Sequence, residues 1–374
     1  MASLVTIAAP VERAALAARH GWGPAAASGG LAALADAQAG LHAARLLTPY
    51  VTAHTRLPAF TAPQLRDALA PDGTLVKIRC VRRTLHLWPL DQAGDAHTAT
   101  LRLRLGAALA TAHRHGLGRR DLDRGADQAR QALAGGALGY RDLQDHLAKQ
   151  YSETTVEAVR MGIKWAWESG DIAYRNTAPT LHREQRAFAL LEHAHPGLTL
   201  HRSDPVTATV ALVRRYLGAY GPAAEGDLMW WSGLTRAEIT PALTALRDEI
   251  TPVHVEGLPA TLLVLSSELD TLRGAAPLPA DHVRLTAFED PAFKGYFTTR
   301  ARYLDPAHTE RAFNPIGEVR AAITIAGRIT GTWWWDKQTR TVGWDLFARP
   351  PRGLARVIRQ RLEEAEAFLR AEPN

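Results

Sequence analysis

One arrangement recurs along the chain and restricts its fold: an amphipathic helix, a turn, a second helix and two short strands. It is clearest at residues 225–265, where the turn SGLTRAE separates two helical segments and TPVHVEGLPATLLVL forms a hairpin pattern around Gly257. Thr235 is placed to cap the second helix, because Glu238 follows three residues later. A helix, a turn, a helix and a hairpin together make a winged helix.

Two earlier segments have the same order of elements. In the first, Thr61 and Pro63 predict the start of a helix, and LVKIRCVRRTLHLW follows as a strand pair with a bulge or turn near Arg82 and Arg83. In the second, at residues 140–175, a helix ends in ESGD and IAYR opens the strand pair. The three copies begin about 80 residues apart, which indicates a domain-sized repeat rather than a solenoid.

The last hundred residues have a different pattern. The segments VRLTAF, YFTT, EVRAAITIAGRITGTWWWD and RTVGWDLF predict strands separated by turns, and the apolar stripe of the tail predicts a closing helix. We therefore expect an α+β fold of tandem winged-helix repeats with a C-terminal β-rich module and terminal helix. The expected domains are three winged-helix units at 1–100, 101–200 and 201–275, followed by the β-rich module at 276–374.

Composition restricts the class of protein further. The sequence has no run of 18 apolar residues and no leader-like start, so we expect a cytoplasmic protein with no membrane partner. Cys80 is the only cysteine, which excludes an internal disulfide and a cysteine-built zinc or iron–sulfur site. The 15 histidines lack metal-ligand spacing, so we expect neither a metal nor another cofactor.

Basic residues favour a polyanionic partner. Lysine and arginine outnumber the acids by 44 to 38, and only five of the basic residues are lysine. Residues 75–88 carry this charge without any acid, and we predict that they place the first hairpin against DNA phosphates through Lys77, Arg79, Arg82 and Arg83. The alternatives are a solvated surface and the arginine bias of a GC-rich genome.

Three blocks of the sequence are familiar: LVKIRCVRRTLHLWP at 75–89, VRRYLGAYGPAAEGDLMWWSGL at 213–234, and residues 285–333. Together they resemble the winged-helix DNA glycosylases of the AlkZ and YcaQ type. The resemblance implies an enzyme that hydrolyses the N-glycosidic bond of alkylated purines, of the 7-alkylguanine type, in double-stranded DNA. Because no lysine for a Schiff base is apparent, we expect a monofunctional enzyme, and we expect it to act as a monomer. The resemblance leaves open bulky natural-product adducts and crosslinks as substrates, since some members serve antibiotic self-resistance.

The resemblance also implies where catalysis takes place. The family signature is Gln, one residue, then Gln or Asp, and the corresponding stretch LAALADAQAGLHAARLL at 31–47 departs from it. Our preferred register aligns Asp36 and Gln38 with the signature, whereas a shifted register pairs Gln38 with Gly40. A carboxylate or amide oxygen can hold the water that attacks the sugar.

Such a pair requires a particular backbone. Residues two apart point about 200° apart on a helix, so Asp36 and Gln38 can converge only at a helix end or break. Gly29, Gly30 and Gly40 favour a break in this stretch. The alternative is that Asp36 caps a helix that begins after it, with Gln38 in the first turn.

Other side chains leave alternatives open. His86, on the basic strand pair, is a candidate to face the DNA lesion, and a structural role is the alternative. At least one of Trp333 to Trp335 should be exposed, because three consecutive residues cannot share one face of a strand. The rival function for the whole chain is a non-catalytic winged-helix protein, either a transcription regulator or a protein that shields lesions, because fold alone does not give function.

Overall fold

Helices and short hairpins alternate along the chain in the computed structural model, which describes residues 4–24, 29–201, 203–259 and 261–373. The helices are α1 (Ala9–Arg19), α2 (Gly30–Ala37), α3 (Thr48–His54), α4 (Ala62–Ala68), α5 (Leu90–Ala99), α6 (Leu101–His113), α7 (Arg119–Leu133), α8 (Tyr140–Gln150), α9 (Val156–Ser169), α10 (Leu191–Ala194), α11 (Pro205–Tyr220), α12 (Glu225–Ser232), α13 (Arg236–Ala245), α14 (Leu269–Gly274), α15 (Pro291–Lys294), α16 (Thr309–Ala312) and α17 (Leu354–Arg370). The strands are β1 (Val5–Ile7), β2 (Leu41–His42), β3 (Leu75–Arg79), β4 (Leu85–Pro89), β5 (Leu138–Gly139), β6 (Ile172–Asn176), β7 (Arg186–Leu190), β8 (Ile250–Val255), β9 (Leu262–Leu265), β10 (Val283–Leu285), β11 (Ala322–Ile325), β12 (Arg328–Asp336) and β13 (Thr341–Leu346). The fold class is α+β, as predicted.

The strands pair into small separate sheets. Three of the sheets consist of a hairpin extended by one short strand from earlier in the chain, in the orders β2-β4-β3, β5-β7-β6 and β1-β8-β9. The fourth is the antiparallel sheet β10-β11-β12-β13. In the third sheet β1 runs parallel to β8, so the start of the chain completes a sheet whose hairpin lies about 250 residues later.

Local signals read from the sequence are confirmed at several element ends. The side chain of Gln64 accepts a 2.8 Å hydrogen bond from the Thr61 amide at the start of α4. Glu238 accepts one of 2.8 Å from the amide of Thr235 at the start of α13. The hairpin β8–β9 turns at Gly257, whose φ of +77° suits glycine. The tail helix is α17.

The expected strand YFTT is wrong, and residues 296–299 form a turn. The carboxylate of Asp227, which is fully buried, accepts hydrogen bonds from the backbone amides of Phe297, Thr298 and Thr299 at 2.8, 2.6 and 3.2 Å. Three successive amides directed at one carboxylate cannot form a strand ladder, so this tertiary contact overrides the strand-like composition.

The hydrophobic core is shared between distant parts of the chain. One buried cluster joins α2, α3 and α4 to the C-terminal sheet and to α17, and the ring of His54 stacks on Phe368 at 4.1 Å. A second cluster unites the β3–β4 hairpin with α11 to α13. Trp333 is buried and Trp334 is 51% exposed, which confirms the expectation for the tryptophan run. The four domain boundaries stay a prediction.

Two general features follow from the described part of the chain. None of its helices is long and apolar enough to cross a membrane. In the same residues, no group of three or more histidine, cysteine or acidic side chains is arranged to hold a metal ion.

Candidate active site

The helix break expected in the stretch 31–47 is present. Helix α2 ends at Ala37, and Gln38 leaves the helix with φ −108° and ψ 13°. Gly40 has a φ of +90°, and a Cβ built there would lie 2.6 Å from the ring of Trp88. Only glycine fits this position, and the turn that it makes leads directly into β2.

Asp36 lies at the surface in the last turn of α2. Its Oδ1 accepts a 2.7 Å hydrogen bond from Gln92 Nε2 and lies 3.0 Å from a guanidinium nitrogen of Arg215. About half of the Asp36 side chain remains exposed, at 53%. Asp36 therefore does not cap a following helix, and its carboxylate is held by partners from α5 and α11.

Gln38 is oriented differently from Asp36. It is fully buried, and its side-chain nitrogen donates to the carbonyl of His20 at 3.2 Å. Its backbone carbonyl accepts a 2.8 Å hydrogen bond from the Tyr220 hydroxyl. The structure therefore gives Asp36 and Gln38 separate partners, and neither side chain lines the pocket described next. The catalytic role of this pair stays a prediction.

A small pocket opens beside this break, where β2 meets β4. His42 of β2 lies opposite His86 of β4, with ring centroids 5.2 Å apart and planes at 81°. Arg82, Lys294, Tyr220 and Trp231 contribute to the other walls of the pocket. Its free volume is about 10 Å³, which is close to the space of one water molecule.

Burial keeps both imidazoles of the pocket neutral. It lowers the pKa of His42 well below the usual 6.5, with the neighbouring His86 as the next cause. Burial, followed by the charge of Lys294, lowers the pKa of His86 to about 3. Both ring nitrogens of His42 lack a hydrogen-bond partner within the described protein, whereas His86 Nδ1 lies 3.4 Å from the carbonyl of Thr84. A neutral, unpartnered imidazole can accept a hydrogen bond from water.

Two cations lie next to these imidazoles. Burial and the nearby Arg300 lower the pKa of Arg82 to about 10, and its guanidinium carbon lies 3.7 Å from the ring centroid of Trp230. Burial and Arg82 lower the pKa of Lys294 to about 7, while direct contact with the carboxylate of Glu289 favours its ammonium form. The pocket therefore combines neutral walls with a cationic edge, which suits a phosphodiester.

Two of the predicted phosphate-binding residues are engaged inside the protein. Lys77 Nζ lies 4.4 Å from the ring centroid of Tyr174, and burial lowers the pKa of Lys77 to about 8. Arg79 Nε lies 2.9 Å from a carboxylate oxygen of Glu168. Both side chains are engaged because β3 packs against β6, which directs its polar side chains toward the sheet β5-β7-β6 and its neighbouring helix α9 rather than toward solvent.

The other two predicted phosphate-binding residues, Arg82 and Arg83, and the candidate lesion-facing residue His86 lie near the pocket. Arg82 and His86 line it, and Arg83 is exposed beside them in the turn between β3 and β4. Arg82 and Arg83 have φ of +51° and +58°, which are uncommon values for arginine. DNA binding by the five residues stays a prediction, and these contacts favour Arg83 and Arg82 as the accessible cations.

Comparison with known proteins decides the family. A sequence model of the family described as DNA glycosylase AlkZ-like matches residues 10–369. The chain belongs to the AlkZ-like DNA glycosylase family. Among curated proteins, it is similar to the interstrand DNA cross-link repair glycosylase of Streptomyces sahachiroi, with 29% identity over 133 residues. That match spans 35% of this chain and 35% of the relative, or about a third of the relative's length.

A solved structure resembles this AlkZ-like chain over nearly its full length. The DNA glycosylase AlkZ of Streptomyces sahachiroi superposes with a TM-score of 0.81 at 20% sequence identity. The match covers 98% of this chain and 97% of that one. The two proteins therefore share a fold.

Reasoning from the sequence missed two residues of this pocket, His42 and Lys294. His42 lies in the same stretch as Asp36 and Gln38, two residues after the glycine that ends the helix break. Its signal was a histidine on a short strand opposite His86, but the pairing of β2 with β4 joins residues 44 positions apart. Lys294 lies in the block 285–333 that carries the family resemblance.

Proposed function

We propose that this protein is a monofunctional DNA glycosylase that acts as a monomer on alkylated purines in double-stranded DNA. The observation that carries the proposal is the neutral, unpartnered His42 in a water-sized pocket with a cationic edge, within an AlkZ-like chain. A water held by His42 is a suitable nucleophile, and the cations suit the phosphates on either side of the reacting nucleotide.

The reaction follows from these groups. The water oxygen forms a bond to the anomeric carbon of the sugar as the bond from that carbon to the base nitrogen breaks. The electron pair of the broken bond leaves with the base. The water, oriented by a hydrogen bond to His42, loses its proton to solvent, because burial holds the pKa of His42 well below 6.5 and makes it a weak base. Because His42 and His86 are neutral, they add no positive charge beside the sugar to that of Arg82 and Lys294 on the pocket edge.

The pocket favours a base that leaves easily. Among the described residues, no carboxylic acid lines it, so it offers no strong general acid to the departing base. Guanine alkylated at nitrogen seven is already cationic and needs no proton to leave. We therefore infer 7-alkylguanine as the substrate class, with bulky adducts and crosslinks as further members.

Hydrolysis also agrees with the state of the lysine in the pocket. Lys294 contacts the carboxylate of Glu289, and this contact favours the ammonium form. While it is paired with Glu289 as an ammonium group, Lys294 has no free electron pair with which to attack the sugar and form a Schiff base. The expected product is an abasic site with an intact strand.

The stretch 31–47 then has a supporting role in this proposal. The carbonyl of Gln38 accepts a hydrogen bond from Tyr220, and Tyr220 forms a wall of the pocket. The turn at Gly40 places His42 on β2. We interpret the three hairpin units as winged helices, with the turn between β3 and β4 directed at the DNA.

The test of this function is base release from duplex DNA that carries one 7-methylguanine. We expect wild-type protein to release the free base and leave an abasic site, which alkaline cleavage detects, and to leave an unmodified duplex intact. An interstrand-crosslinked duplex tests the extension to crosslinks. Tight binding without base release would contradict the proposal and favour the lesion-shielding or regulatory alternative.

A further inference from the structure

An exposed aromatic ring lies at the end of a stack that leads to the pocket. Phe297 is 51% exposed, and its ring stacks on Trp230 with centroids 4.5 Å apart and planes at 28°. Trp230 in turn contacts the guanidinium of Arg82, which lines the pocket. The stack therefore connects an open aromatic surface with the wall of the candidate active site.

The backbone holds this exposed ring in place. Asp227 accepts hydrogen bonds from the amides of Phe297 and Thr298, and its second oxygen accepts one of 2.6 Å from the Thr299 hydroxyl. Asp227 is fully buried, so these bonds are shielded from water. A large apolar ring that is fixed yet half exposed gains little for folding, whereas a fixed ring binds a ligand with a smaller loss of entropy.

The charge around the ring identifies the chemistry of its partner. The guanidinium carbon of Arg300 lies 4.9 Å from the Phe297 ring centroid and 5.6 Å from that of Trp230. Aromatic rings bordered by arginines match a planar group that is attached to phosphate. Nucleobases have such a structure, and stacking on aromatic side chains is a common way to bind unpaired ones.

The size of the pocket adds an argument that rests on the proposed function. A free volume of about 10 Å³ accommodates one water and excludes a purine. If the sugar approaches His42, its base must lie outside the pocket. Phe297 offers an aromatic surface there, since Arg82 belongs both to the pocket and to the stack.

We propose that Phe297, supported by Trp230, is a stacking platform for a nucleobase that is exposed by local unpairing of the duplex. The identification of this base as the one to be excised rests on the proposed glycosylase function, but the stacking itself does not. Phe297 is thus a specificity-determining residue that recognises the planar face of an unpaired base.

The test uses DNA without any alkylated base. One probe is a duplex with a single bulged 2-aminopurine, whose fluorescence falls on stacking, and the other is the fully paired duplex of the same sequence. We expect wild-type protein to prefer the bulged duplex and to quench its fluorescence. Phe297→Leu should lose the quenching and about 10-fold or more of the preference, while Phe297→Trp should keep both.

The controls separate a platform from a general effect on folding or charge. Trp344→Leu removes another exposed aromatic, on β13, and should change neither readout. Phe297→Leu should keep the thermal midpoint and the salt dependence of binding to paired DNA, because the side chain is exposed and uncharged. Unchanged quenching and preference in Phe297→Leu, or no preference in the wild type, would overturn the platform.

The two proposals fail in different ways. If wild-type protein releases no 7-methylguanine but Phe297 still governs binding to the bulged duplex, the glycosylase function fails and the platform stands. If the base is released and Phe297→Leu binds the bulged duplex as the wild type does, only the platform fails.

Discussion

His42 and His86 face each other across neighbouring strands, and burial determines what each can do. Both are nearly inaccessible, at 2% and 4% exposure, and both are neutral near pH 7 because their pKa values are lowered. His86 lies close to a backbone carbonyl, whereas His42 has no hydrogen-bond partner at either ring nitrogen among the residues that the structure describes. His42 is therefore the side chain in this pair that is free to hold a water.

Residue-scale contacts also distinguish the basic side chains of the first hairpin. Arg83 is exposed, whereas Lys77 packs on the ring of Tyr174. We expect Arg83→Ala to weaken binding to duplex DNA and to reduce the slope of log affinity against log salt by about one unit. Lys77→Ala, the matched control, should leave that slope unchanged, and titrations at several salt concentrations measure both. If Lys77→Ala reduced the slope and Arg83→Ala did not, Lys77 would contact phosphate as the sequence predicted, and the preference for Arg83 would be wrong.

At the scale of elements, the short helix α15 carries Lys294 to the pocket, and Asp290 holds that helix. Asp290 accepts a hydrogen bond from the amide of Ala292 at the start of α15 and forms a fully buried ion pair with Arg56, at 2.6 Å. Arg56 also donates to the carbonyl of His20. This network connects the end of α3 to the pocket.

Asp290→Asn should therefore be strongly destabilising. It leaves the buried charge of Arg56 without a counter-ion, at a cost of about 3 to 5 kcal/mol in the free energy of unfolding. Urea unfolding measures this change. Glu249→Gln removes one partner of the exposed pair between Arg214 and Glu249 and should leave the urea midpoint nearly unchanged. Equal effects of the two substitutions would contradict the importance assigned to the buried pair.

Local elements were more predictable than long-range contacts. Thr61 and Thr235 mark helix starts because their caps involve residues only three positions away. The turn at Phe297 was not predictable, because the amides there bind Asp227, about 70 residues earlier. The candidate pocket was not predictable for the same reason, because His42 becomes part of it only when β2 pairs with β4 and places His42 opposite His86. The parallel pairing of β1 with β8 also has no local signal.

At the scale of the whole molecule, burial of histidine makes stability depend on pH. Among the described residues, burial lowers the pKa of six buried histidines below 6.5, to about 3 for two of them and about 4 for another: His20, His42, His86, His97, His182 and His195. Above pH 6.5 they are neutral in both states. As the pH falls below 6.5, only the unfolded chain takes up their protons, so the folded state loses stability.

We therefore expect the free energy of unfolding to fall between pH 7 and pH 5, by up to roughly 1.4 kcal/mol per pH unit for each such histidine. Urea unfolding at a series of pH values measures this slope. His97→Leu should reduce the slope by about one proton, while His115→Gln, at an exposed position, should not change it. A free energy of unfolding that is constant over this range would contradict the neutral state of these side chains.

The whole fold brings the pocket together from four distant parts of the chain: the break after α2, the hairpin β3–β4, the helices α11 and α12, and the helix α15. Base release from a 7-methylguanine duplex under single-turnover conditions, with enzyme in excess, tests most directly whether His42 holds the water. We predict that His42→Ala lowers the rate by about 100-fold or more while DNA affinity is retained, and that Asp36→Asn keeps most of the activity. A wild-type rate for His42→Ala, together with loss of base release in Asp36→Asn or Gln38→Ala, would contradict the account and place the chemistry on the pair at the helix break.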